Sequence, residues 1–122
     1  MIVDRCRDVN EFEKFHSKYA NEAIHDVSSI LSNWDYHFCF YDDNNKELLA
    51  CAYLHDEDGK IMLSGFAKPK QMNNVIDGIK WVSDFMKKDV LFSRTTKKPA
   101  KLVLLRSGFI KIDNDLFVRK AG

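Results

Sequence analysis

Glycine, proline and cysteine are all scarce in this 122-residue chain, which has 5 Gly, 2 Pro and 3 Cys. Such a composition leaves no low-complexity tract, linker or internal repeat. Cys6, Cys39 and Cys51 are odd in number and lack metal-type pairing, which points to reduced thiols in a cytosol. No apolar run approaches the length of a membrane span, and no charged-then-apolar segment opens the chain. The expected location is therefore cytoplasmic, with no membrane contact. His16, His25, His37 and His55 show no ligand spacing, so no metal site is expected. No Ser/His/Asp or Cys/His arrangement can be assembled, and Cys51 lies in apolar surroundings that favour an inert thiol.

What the chain does have is bulk and polarity. Hydrophobic residues make up 45% of it, with 9 Phe, 4 Tyr and 2 Trp, enough for the core of one domain spanning residues 1–122. Trp34 and Trp81 are expected in or near that core. The net charge of +1 hides an asymmetry. Residues 1–66 carry 6 Lys/Arg against 13 Asp/Glu, a net of −7, whereas residues 67–122 carry 13 against 5, a net of +8. The basic half is either a solvated lysine surface or a site for a polyanion: a phosphorylated cofactor, nucleic acid or an acidic partner.

Along the chain, Ile2-Val3 reads as a short strand, and Asn10 with Glu13 as a capping box. Apolar residues from Phe12 to Leu31 recur at helical spacing, as one long helix or two joined near Ala20-Asn21. His16 and His25 are expected at the edge of this layer. Residues 36–41, 48–54 and 61–66 read as a three-stranded meander, with turns at Asp42-Asp-Asn-Asn45 and Asp56-Glu-Asp-Gly59. Met72, Val75, Ile76, Ile79, Val82 and Met86 mark an amphipathic helix. A buried strand at 90–92, a helix at 99–107 and strands at 109–112 and 116–119 complete a mixed α/β order.

The segment Pro99-Ala-Lys-Leu-Val-Leu-Leu-Arg-Ser-Gly-Phe109 is a short helix that starts on Pro99 and stops at Gly108, followed by a strand. Together with the element order over essentially the whole chain, it resembles the GCN5-related N-acetyltransferases (the GNAT superfamily). The Asn/Lys/Asp-rich composition is compatible with a small degenerate member of bacteriophage type, acting in a host cytoplasm or a virion. The resemblance implies a minimal GNAT-like fold, a mixed, mostly antiparallel sheet with helices on both faces. It also implies an acyl-CoA-dependent N-acyltransferase, with acetyl-CoA in a V between strands 61–66 and 90–94.

The family's phosphate cradle reads Gln/Arg-x-x-Gly-x-Gly/Ala, and its nearest match here is Gln71-Met-Asn-Asn74-Val-Ile76. Gln71 fits, Asn74 takes the first Gly position, and Ile76 at the second should keep a pyrophosphate off the backbone. Gly78, the one glycine nearby, lies deep in the helix. The usual leaving-group tyrosine is Leu104 and the usual asparagine is Lys97, while Ala100, Gly108 and Phe109 match. Residues for packing are thus kept and those for cofactor and proton transfer replaced. Cofactor contacts are expected from the backbone groups of Phe66 and Ala67 and from Lys68, Gln71, Asn73 and Asn74.

No catalytic residue is assigned. His55, Glu57 and Ser64 are the candidates, against a solvated hairpin for the first two. Ser64-Gly65 reads as a strand bulge, a close backbone approach or a plain strand end. Lys68, Lys70, Lys97, Lys98 and Lys101 form either a cationic rim or a scattered surface. The alternative function is a non-catalytic GNAT-fold binding or structural protein acting by protein–protein contacts or self-association, with no cofactor and the V filled by Phe66, Phe92 or Leu104. A nucleic-acid module rests on the +8 half alone, without the aromatic-interleaved basic motif of RNA-binding folds.

Overall fold

The computed structural model describes residues 2–5, 8–19, 36–87 and 89–120. Strand β1 (Ile2–Arg5) precedes helix α1 (Val9–Tyr19) and the meander β2 (His37–Tyr41), β3 (Leu48–Glu57) and β4 (Lys60–Ala67). Helix α2 (Met72–Phe85), strand β5 (Leu91–Arg94), helix α3 (Lys98–Arg106) and strands β6 (Ile110–Lys111) and β7 (Leu116–Arg119) follow. The strands form one sheet in the order β1-β2-β3-β4-β5-β7-β6. Its β4–β5 pair is parallel and the rest are antiparallel. The helical continuation expected past Tyr19, with His25 and Trp34, lies outside the described residues. No helix among the described residues is long and apolar enough to cross a membrane.

Both sheet faces are covered, which is why β2 and β3 read as nearly continuous apolar runs. Phe38, Phe40, Ala50, Ala52, Leu54 and Leu63 point to one face, where Ile79, Val82 and Leu104 from α2 and α3 meet them. Cys39, Cys51 and Tyr53 point to the other, under Phe12 and Phe15 of α1. A register shift between Phe40 and Tyr41 lets both Leu48 and Leu49 be buried. The β3–β4 connection is the two-residue turn Asp58-Gly59, both at positive φ, so the strands run further than the expected four-residue turn allowed.

Local details correct two expectations, for the cap of α1 and the cysteines, and place Trp81 at the edge of the core. The cap of α1 is Asp8, whose carboxylate accepts the Asn10 and Glu11 N–H groups at 2.9 and 3.2 Å, so Asn10 lies inside the helix. Trp81 is 40% exposed, because it flanks the inward stripe of Ile79, Val82 and Ser83. It stacks on Phe85 at 5.6 Å, and both rings meet Phe38 edge-on. Among the cysteines, Cys51 is a free buried thiol, but Cys39 is disulfide-bonded, contrary to uniformly reduced thiols.

Gly78 sets the seat of α2. A Cβ there would lie 2.3 Å from the Phe40 ring, which is itself 1% exposed and hemmed in. Gly78→Ala is therefore expected to destabilise by about 1–2 kcal/mol in urea unfolding, despite the helix propensity it gains.

Burial raises the Cys51 thiol and the Tyr41 phenol above their ordinary values of 9.0 and 10.0. The Glu11 carboxylate pushes both the same way and accepts the Tyr41 O–H at 3.1 Å. Both groups are neutral when protonated, so the folded state holds their protons longer than the unfolded chain does. Their contribution is full below the unfolded values and is lost as pH rises. The urea midpoint should fall as pH passes about 9, and Cys51→Ala should flatten that slope.

Candidate functional site

Strands β4 and β5 pair at Ile61–Leu91 and Met62–Phe92 and then part. Ser93 on β5 donates its hydroxyl to the Leu63 carbonyl at 2.8 Å, closing the crotch of the resulting V. Beyond it, β5 pairs with β7 through Ser93–Phe117 and Arg94–Leu116. The Leu63 carbonyl faces β5, whereas the Lys68 N–H donates to Leu49 on the β3 side at 3.0 Å. Alternation along β4 then turns the backbone groups of Gly65 and Ala67 into the V and those of Ser64 and Phe66 toward β3.

Gly65 is not at a bulge, since the β3–β4 register runs unbroken from Ala50–Ala67 to Glu57–Lys60. It is a close approach. A Cβ would lie 2.4 Å from the Cys51 carbonyl oxygen. The side chains named as possible fillers lie elsewhere. Phe66 packs on Phe12, Phe15 and His16 under α1, Leu104 is in the α2/α3 core, and Lys60 sits over Phe92 at 5.9 Å.

The mouth of the V leads toward the start of α2. Gln71 occupies the N-cap position without capping the helix by its side chain. Instead its Oε1 accepts the Asn74 Nδ2–H at 2.7 Å. Val75 N–H to Gln71 O, at 2.9 Å, is the first helical bond. The Met72, Asn73 and Asn74 N–H groups thus have no helical acceptor, and no acidic residue stands in the first turn. Ile76 is turned inward and 8% exposed, on the stripe of Ile79 and Ser83, so it does not stand over these donors. Lys68 is engaged by Glu47. Lys70 stands in the loop at φ 66°, and Lys97 and Lys98 are exposed at the start of α3, with Lys101 half-buried one turn on.

On the α1 face beside β4, the structure joins two of the three candidate catalytic residues. His55 Nε2 lies 2.9 Å from Ser64 Oγ. Tyr53 stands opposite Ser64 in the strand register, and burial raises its phenol pKa while the Ser64 hydroxyl acts the other way. The three side chains form one line, with the Tyr53 and His55 rings 5.6 Å apart. Glu57 is held apart by Arg94 at 3.6 Å, itself bound to Asp115 at 3.3 Å. Sequence reasoning missed Tyr53, Ser93 and Arg94, whose roles depend on strand register alone. Among the described residues no group of His, Cys, Asp and Glu could hold a metal ion.

No protein-family model matches the chain, and no curated protein sequence does. Solved structures do. A spermidine N-acetyltransferase chimera from Vibrio cholerae and hSSAT superposes with a TM-score of 0.68 at 7% identity, covering 99% of this chain and 97% of that one. Rv2747 from Mycobacterium tuberculosis, in complex with CoA and NLQ, gives 0.64 at 16% identity over 93% and 74%. A GNAT-family acetyltransferase from Bacillus anthracis gives 0.60 at 12% identity over 95% and 89%. The chain has the GNAT fold. None of these three is a bacteriophage protein.

Proposed function

We propose that this protein is an acyl-CoA-dependent N-acyltransferase of the GNAT type. The observation that carries the reading is the V, with Gly65 and Ala67 backbone groups turned into it and a helix N-terminus without caps beyond its mouth. The CoA complex of Rv2747 supports an acyl-CoA as donor. In this chain the Met72, Asn73 and Asn74 N–H groups, with Gln71 and Lys70 beside them, would hold the pyrophosphate. The Phe66 backbone is turned toward Cys51 on β3 and Lys68 is engaged by Glu47, so the Ala67 and Gly65 backbones would take the pantetheine and thioester end.

When bound, acyl-CoA supplies an activated acyl carbon bearing a thiolate leaving group. The Gly65 N–H would polarise the thioester carbonyl, and as the amine nitrogen bonds to the acyl carbon the C–S bond would break and CoA leave as its thiolate. His55, acting through the Ser64 hydroxyl, takes the proton of an amine that approaches across the α1 face. Tyr53 orients Ser64 from the other side. The acidic first half of the chain suits a cationic amine, and one structural neighbour is a spermidine N-acetyltransferase.

A second reading is favoured by one residue. Leu104, where the resemblance places the proton donor for the thiolate, is 4% exposed and packed in the core. On this reading the fold binds a protein partner and transfers nothing. A thiol-release assay with acetyl-CoA and a panel of polyamines and lysine peptides separates the two. Release that depends on the amine supports transfer; release no faster than hydrolysis without amine contradicts it.

A further inference from the structure

At the end of the sheet where β5 begins, away from the V, lies a groove of about 650 Å³. Lys80 and Asp84 line it from α2, Leu105 and Arg106 from the end of α3, Ile110 from β6, and Arg119 with Lys120 from the end of β7. Register fixes its place, since Arg119 pairs with Leu91, whereas the V opens beyond Phe92 toward the opposite end.

Three cations, Lys80, Arg119 and Lys120, stand here beside one carboxylate, while Arg106 turns its guanidinium toward Met72 at the start of α2. Arg119 Nη2 lies 3.8 Å from Asp84 Oδ1. Lys80 and Lys120 make no ion pair among the described residues, and Arg106 reaches only the Met72 sulfur, at 3.7 Å. Like charges gathered in a concave site repel one another, and an anion relieves that repulsion. Guanidinium groups grip phosphate with two parallel bonds, and lysines add point charge. Leu105 and Ile110, 49% and 55% exposed, supply an apolar wall. The depression is shallow and open, basic on one side and apolar on the other, so its charge and not its volume selects the ligand.

We propose that this groove binds a small organic polyphosphate of nucleotide size, separately from any acyl donor in the V. ATP serves as probe, titrated while backbone amide shifts are followed. The expected result is saturable shifts at Leu105–Gly108 and Arg119, with affinity about tenfold lower in a Lys80→Gln/Lys120→Gln double variant. Both lysines are exposed, so the fold should be unchanged, and acetyl-CoA affinity should be too. The proposal is overturned by no saturation at millimolar ATP, by shifts confined to residues 71–74, or by equal affinity in the double variant. Displacement of ATP by acetyl-CoA, or binding of single-stranded DNA with none of ATP, also overturns it.

Discussion

His55→Ala is expected to lower amine-dependent thiol release about 10²–10³-fold while leaving acetyl-CoA affinity unchanged. His55 and Ser64 lie on the α1 face of the sheet, and the cofactor path runs along the β4 edge and past the start of α2. Removing the imidazole takes away the acceptor for the amine proton but no group that faces the V. Ser64→Ala breaks the 2.9 Å link and should lose less, because a water can bridge to the ring. Tyr53→Phe tests positioning. It should shift the pH profile of the rate without removing transfer. Equal small losses in all three variants would mark the line as ordinary packing between adjacent strands.

Gly65→Ala should be the most damaging single methyl addition in the sheet. Its Cβ would fall 2.4 Å from the Cys51 carbonyl oxygen and 3.2 Å from Ala52 Cα, both backbone atoms that cannot rotate away. The strands must separate, at a cost of about 3 kcal/mol in urea unfolding. The separation displaces the Gly65 and Ala67 N–H groups, so acetyl-CoA affinity should fall about tenfold or more. Gly78→Ala, far from the V, provides the control. It should lose stability and keep cofactor affinity. Parallel losses in both variants would mean that affinity follows global stability and not the geometry of the V.

The fold was legible because α2 shows a helical stripe and β2 and β3 carry nearly continuous apolar runs. The helix over residues 99–107, its stop at Gly108 and the Phe109 corner also follow from local chemistry. Phe109 N–H bonds to the Leu104 carbonyl at 3.0 Å, and Gly108 has φ +95°. The cap of α1 was misplaced because Asp8 and Asn10 are both good caps, and tertiary packing of Phe12 and Phe15 decides between them. Trp81 lies near the core as expected, with one side of its ring against buried Phe38 and the other in water. The site itself was only partly readable. His55, Ser64 and Tyr53 meet because Ser64 stands opposite Tyr53 in the β3–β4 register, which no local pattern specifies. Ile76 looked like an obstruction from its place in the motif, yet helix phase turns it inward with Ile79. The Lys68–Glu47 pair joins two loops far apart in sequence, so a lysine counted toward the cofactor is already engaged.

The most direct measurement is calorimetric titration of acetyl-CoA, and of free CoA, into the protein at low and moderate salt. The account predicts saturable one-to-one binding of both, weakened by salt through the phosphates and abolished or strongly reduced in Gly65→Ala. An absence of heat at millimolar acetyl-CoA, from protein shown to be folded, would contradict it and leave the GNAT fold here as a scaffold for protein contacts.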